Sequence, residues 1–573
     1  MQLTRIVLSL LLLFVHFDDN PKDKSLFSSP IIIPLSLSSN FGELRADHFH
    51  SGIDLRTQGV IGKEIVATAS GYVYRISVSP GGFGKALYLR HPSGYSTVYG
   101  HLDRFIPEID KYVKTRQYEQ KSFAINIYPP SDKFEFKQGE IIAYSCNTGS
   151  SSGPHLHYEI RKSDNEIPLN PLLFDFGIED NIKPVIEKLV IYPLDRNSVI
   201  NNSDKPLRLN VSGGHGNYYI PSEKEIIISG RAGFGIKSFD LLNESYSRIS
   251  PYSITLIVDS SVVFRKIMDS FSFDETRYIN SHIDYETFIR ERVYIEKLFR
   301  QPNNKLSVYR DVLNNGFINF NDRKKHHISI VVSDINGNKS ELSFIARSAL
   351  PERKEISADE AKNSITMPYG RNNRFTAINI SVTIPSGALY DTLYFEYRRT
   401  PAINGMLSDI HQVHNRYTPV HKAYTLAIKP SVVPAGKESK MLIAEITEDW
   451  KRIPLTSRWE DGFLVANPVK FGSFFIGIDT VPPVISPEGA ISGANLSGNS
   501  LLKIRIYDNF SGIKSYEPVI DGNWALFEWD QKNNLIIYQF DPERIKKGTT
   551  HSLTLKVKDN SNNVSIYKCD FFW

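Results

Sequence analysis

"FHSGIDLRT", residues 49–57, sets His50, Gly52 and Asp54 at alternate positions of a stretch that otherwise reads as a β-strand. Successive side chains of a strand point to opposite faces, so a separation of four puts the imidazole and the carboxylate on one side. A helix would also align them at i and i+4, but Ser51 and Gly52 between them make helix unattractive. A second pair follows in "GPHLHYEI", residues 153–160, where His155 and His157 share a face and Gly153 and Pro154 mark the strand's start. "TVYGHL", residues 97–102, adds His101 on another strand. Catalytic zinc is commonly held by two histidines and a carboxylate, with water in the open position. The HxxxD and HxH patterns offer four candidates for three places, so with His101 the set supplies three ligands and two further histidines.

Outward from these motifs, the chain reads as β almost throughout. "KALYLRH", "HISIVVSD", "INISVTI", "LYFEYRR", "LKIRIYD" and "LTLKVKD" alternate apolar and polar residues with period two, separated by Gly, Asn, Pro and Asp clusters. The expected fold class is mainly β, a β-rich N-terminal domain followed by several β-sandwich modules. Helical signal is sparse and best in "YETFIRERVYIEKLF", residues 285–299. Between His101 and the "FKQGE" strand lies a segment longer than a hairpin connection needs, about 103–135, expected to border the groove as a loop.

Three matches in the same order mark an internal repeat. "HHISIVVSDINGNKS" (326–340) resembles "HSLTLKVKDNSNNVS" (551–565), pairing His326 with His551, Asp334 with Asp559, Asn338 with Asn563 and Ser340 with Ser565. "FGIKSFD" (234–240) resembles "SGIKSYE" (511–517), and "IKPVI" (182–186) resembles "VPPVI" (481–485). The "DxxGN" turn before the last strand resembles bacterial immunoglobulin-like modules. The resulting division is 25–177, 182–347 with an insertion, 350–478 and 480–573. Within it, spacer or interaction roles fall to the modules after 177.

The 573 residues exceed one hydrophobic core. Charged residues at 23% and a formal charge of +4, with no block of basic residues, argue against a nucleic-acid partner. Two distant cysteines, Cys146 and Cys569, exclude a disulfide framework. Arg5 followed by "IVLSLLLLFVHF" (6–17) reads as a signal peptide or retained anchor over residues 1–24 and predicts export to the periplasm or cell envelope, with no spanning helix beyond it.

"HFHSGID", "VYGHL" and "GPHLHYEI", with "VATASGYVYRI", "GGFGKALYLRH" and "FKQGEIIAYSCNTGSSSGPH" between them, resemble in order and character the lysostaphin- and LytM-type zinc metalloendopeptidases, over residues 38–175. The resemblance implies a zinc metallopeptidase domain that cuts peptide cross-links of bacterial peptidoglycan. Carried over position by position, it assigns zinc to His50, Asp54 and His157 and the catalytic roles beside the metal to His101 and His155. Gly52 lets substrate or a neighbouring strand approach. His48 shares the His50 face but is expected outside the ligand set, His91 at the surface, and Tyr99 as a packed strand residue. Asn147, Thr148 and Ser150 are read as cleft lining or turn chemistry. The implied partner is peptidoglycan peptide, joined by an envelope protein bound through the β modules. Two alternatives stand beside the hydrolase: a non-catalytic or autoinhibited regulatory protein that retains zinc, and a structural envelope protein.

Overall fold

The structure, a computed structural model, describes residues 26–221, 225–243, 245–350 and 365–573. The leader sequence expected at 1–24 lies outside these residues. No helix among the described residues is long and apolar enough to cross a membrane.

The N-terminal sheet runs in the order Leu37–Ser39, Ile53–Arg56, His155–Lys162, Tyr95–Phe105, Lys85–Arg90, Gly71–Val78, Ile125–Ile127. Its central strands bury both faces, which is why "KALYLR" and "HLHYEIRK" carry more apolar and paired polar groups than a half-exposed strand would. Ile53, Leu55, Leu87, Leu89, Leu156, Tyr158 and Ile160 lie on the core side. The other side of His155–Lys162 is left for His155, His157 and Glu159.

The expected loop at 103–135 is instead an ordered excursion. Pro107–Gln120 forms a 14-residue helix with proline in its first turn, ended by Lys121 in the left-handed region at φ 48°. Ile109, Val113 and Gln117 are its buried positions, one narrow i, i+4, i+8 stripe among polar residues, too thin a pattern to read from the sequence. The strand Ile125–Ile127 then pairs with Gly71–Val78. The helix packs on the last module, through Lys114 to Asp541 at 2.5 Å and Tyr118 edge-on to Trp524, rather than over the histidines.

Residues 185–349 build a 13-stranded assembly around one core containing Leu189, Ile191, Phe234, Ile254 and Ile330. The helix expected at 285–299 spans only Tyr285–Glu291. Arg292 at φ 58° ends it, and Glu296–Lys297 returns to strand. Residues 365–478 form two five-stranded sheets and a short two-stranded one, and 484–572 two four-stranded sheets.

The repeat is visible in hydrogen bonds. His326 and His551 each set Nδ1 2.6 Å from an aspartate, Asp259 and Asp521. Asn338 donates its backbone N–H to Asp334 and its side-chain amide to the Asp180 carbonyl, while Asn563 does the same to Asp559 and the Asp479 carbonyl. Ser340 and Ser565 donate to the carbonyls of Pro184 and Pro483. Cys146 and Cys569 are free thiols.

Candidate metal centre

Three adjacent strands bring the motif residues together. His157 pairs across the sheet with Asp54 on one side and Gly100 on the other, so FHSGID, VYGHL and GPHLHYEI converge at one level. His50 Nε2 lies 3.0 Å from His157 Nδ1 and 3.1 Å from Asp54 Oδ1, and His157 Nδ1 lies 2.9 Å from that same oxygen. This triangle could hold a metal ion. Two donors sharing one zinc at 2.0–2.1 Å sit roughly 3.3 Å apart, close to the edges found. His155 Nε2 is 3.5 Å from Asp54 Oδ1, and the His101 ring stands 4.7 Å from that of His155.

Each histidine has one ring nitrogen committed to an oxygen that only accepts. His50 Nδ1 donates to the Asn40 carbonyl at 2.8 Å, His101 Nδ1 to the Thr148 carbonyl at 2.8 Å, and His155 Nδ1 to the Gly153 carbonyl at 2.8 Å. His157 Nε2 donates to the Glu159 carboxylate at 2.9 Å. The tautomers follow, and the four remaining nitrogens are lone-pair donors turned to one small volume. His101 reaches it from the left-handed region, φ 58°, at a register shift in the strand Tyr95–Phe105.

The surroundings set the charge. Burial alone would raise the Asp54 carboxyl, but His50 and His157 override it and hold it well below the usual range. Burial, reinforced first by the neighbouring His157, pushes His101 down to about 3, and burial likewise lowers His155. Both are neutral bases at physiological pH. Burial would lower His157 too, yet hydrogen bonds to Asp54 and Glu159 raise it to about 9, so without a cation Nδ1 also carries a proton toward Asp54, and a metal ion would displace that proton to free the lone pair.

Residues beyond the motifs complete the site. Glu159, fully buried, binds His157, accepts from Ser51 and pairs with Arg161. Arg45 reaches Asp54 Oδ2 at 3.4 Å and Ser39 Oγ at 2.9 Å, leaving Oδ1 to the triangle. Phe83 stacks on His157 with ring centroids 4.6 Å apart. A Cβ on Gly52 would fall 2.3 Å from the Tyr158 carbonyl, so the glycine admits the neighbouring strand. Beside Asp54 and His155 opens a cleft of about 280 Å³ whose wall includes Ser39, Glu43, Arg45 and Gly153. From the last module, Lys532 donates to the carbonyls of Asn147 and Ser151, in the loop that presents Thr148 and Gly153.

All five motif residues therefore meet. His48 stays outside, exposed beside Asp47, and Tyr99 is packed with its hydroxyl on Thr68. The surface placement expected for His91 is corrected: it is buried, donating to the Ser70 carbonyl with Thr97 Oγ1 at 2.8 Å, because the turn after it folds back on the sheet. Glu159 continues the HxH alternation and was legible as HxHxE, whereas Arg45, Phe83 and Lys532 arrive from loops with no periodic signal.

The fold and this site define a metallopeptidase-type domain. Residues 48–118 match the model of Peptidase family M23, and residues 364–479 that of the Zu5-like domain. Residues 48–118 are thus assigned to an M23 peptidase domain in the N-terminal part of the chain. Relatives include the "Uncharacterized metalloprotease" of Haemophilus influenzae, 33% identical over 123 residues, covering 22% of this chain and 20% of that protein. The "DD-carboxypeptidase/endopeptidase Mpg" of Neisseria meningitidis is 30% identical over 156 residues, 26% of this chain and 30% of that one. This chain therefore spans between a fifth and a third of the length of these relatives. Among solved structures, the catalytic domain of the prophage-encoded M23 protein EnpA from Enterococcus faecalis is 26% identical, over 25% of this chain and 95% of that one, with TM-score 0.19.

Proposed function

We propose that this protein is a zinc-dependent endopeptidase that hydrolyses peptide cross-links of bacterial peptidoglycan in the cell envelope, with zinc on His50, Asp54 and His157. The observation that carries the reading is the fixed tautomer of all four histidines, each lone pair turned inward. Zinc held there supplies a water of lowered pKa and a polarised scissile carbonyl. His155 and His101, each with its Nδ1 hydrogen on a backbone carbonyl, present Nε2 as the base that takes the attacking water's proton. The protonated imidazole then returns it to the leaving amine. Their low proton affinity suits a transient carrier that gives the proton up quickly. The modules after residue 182 position this domain or engage an envelope partner.

The test uses residues 25–573 and the His155→Ala variant. Zinc per chain is measured, and released amines are followed with purified peptidoglycan. One zinc in each protein, with cleavage lowered about 10²–10⁴-fold in the variant, is expected. Zinc without cleavage in either protein would favour the regulatory reading, and no zinc would refute the centre.

A further inference from the structure

Asp180, Asp240 and Asp334 come from three separate segments: the link into the module at 182–347, the end of the strand Ile226–Phe239, and the turn after the strand Lys325–Ser333. One carboxylate oxygen from each lies within 4.8 Å of the others. Among the described residues no lysine or arginine forms an ion pair with any of the three.

The second copy of the repeat shows what a self-sufficient version looks like. There Asp479, Asp508 and Asp559 also converge. Asp479 accepts from the Val481 and Ser511 N–H groups, Asp508 from Phe510 and Gly512, and Asp559 from Asn563. The first copy differs. Asp334 is bound by Asn338 and Asp180 Oδ1 by the Ile182 N–H, but Asp180 Oδ2 and Asp240 Oδ1 are buried with no hydrogen-bond partner. Asp240 is only 3% exposed, so its carboxylate cannot turn to bulk water. A buried, unpaired carboxylate oxygen is costly unless a cation or proton meets it.

We propose that Asp180, Asp240 and Asp334 form a divalent-cation site of the calcium type, which ties the link into this module to the ends of two of its strands. Three carboxylates without nitrogen or sulfur donors select a hard cation over zinc. Their origin in three chain segments gives the flexible geometry calcium accepts. A cavity of about 340 Å³ lined by Glu179, Asp180, Asn181, Asn243 and Asn336 opens beside Asp180 and admits the waters that complete the shell.

Zinc-loaded residues 25–573, freed of calcium, are titrated with calcium chloride by calorimetry beside the Asp240→Asn variant. Wild type is expected to take up one more calcium per chain than the variant, with Kd of about 10⁻⁴–10⁻³ M, the range of extracellular modules. Its melting temperature is expected to rise with calcium at this site while that of the variant lacks this increment. Equal uptake in the two proteins would overturn the site. Should Asp240→Asn fail to fold, Asp180→Asn, at the half-buried linker position, gives the same comparison with the same two outcomes.

Discussion

Glu159 decides which nitrogen His157 offers. Its carboxylate takes the Nε2 hydrogen, so Nδ1 faces His50 and Asp54. Burial would raise Glu159, but Arg161, His157 and Ser51 hold it at about 2, an anion over the whole working range. Glu159→Gln is expected to weaken zinc binding about 10–100-fold, as the loss of such an orienting carboxylate does elsewhere. It also leaves Arg161 short of its buried partner, for a stability loss of roughly 3–5 kcal/mol. Chelator competition and thermal melting measure the two effects separately, and unchanged zinc affinity would show that His157 keeps its tautomer without the carboxylate. At this scale the sequence was most readable. Period two placed His155 with His157 on the strand His155–Lys162, but the strand expected over 49–57 covers only Ile53–Arg56, so His50 reaches Asp54 from the segment before it, and Arg45 and Phe83 likewise depend on loop closure that no local pattern encodes.

Strands were legible by alternation and helices poorly so. Pro107–Gln120 escaped because one buried stripe of Ile109, Val113 and Gln117 among charged residues resembles a polar connection. The expected helix through 299 was cut short because Arg292 leaves the helical region and Glu296–Lys297 pairs as a strand with Gly235 and Ile236. The strand Ile410–Val413 carries a further consequence. Burial pushes His411, on it, and His414, just after it, down to about 4, and burial with nearby Lys422, Arg277 and Lys305 does the same to His421. An unfolded histidine titrates near 6.5, so between about 6.5 and about 4 the unfolded chain binds protons that the folded one refuses. The histidines' contribution is therefore complete above about 6.5 and is lost as pH falls toward 4. Exchange protection of this strand, measured against the intrinsic rate at each pH, is expected to fall over that window, less so in His414→Gln. Exchange protection that stays level from neutral pH to about 4.5 would refute the assignment.

In the whole molecule, the last module leans on the first. Lys85 pairs with Glu528 at 3.1 Å and Lys114 with Asp541, while Lys532 holds the Asn147 and Ser151 carbonyls. The same loop supplies Thr148 to His101, and Ser151 Oγ lies 3.1 Å from His155 Nδ1. Lys532→Ala is expected to lower peptidoglycan cleavage about tenfold or more with zinc content unchanged, since small misplacements of catalytic groups are expensive. An unchanged rate would mean the loop stands alone, and a raised rate that the contact restrains the enzyme. None of this was readable from the sequence, since Lys532 follows Ser151 by 381 positions and nothing local announces the meeting.

That separation has a consequence in time. A ribosome delivers the five motif residues early, and at about 5–20 residues per second Lys532 follows Ser151 only after roughly 20–80 s. A chain halted or clipped before its last module would carry every histidine of the centre with its loop unbraced.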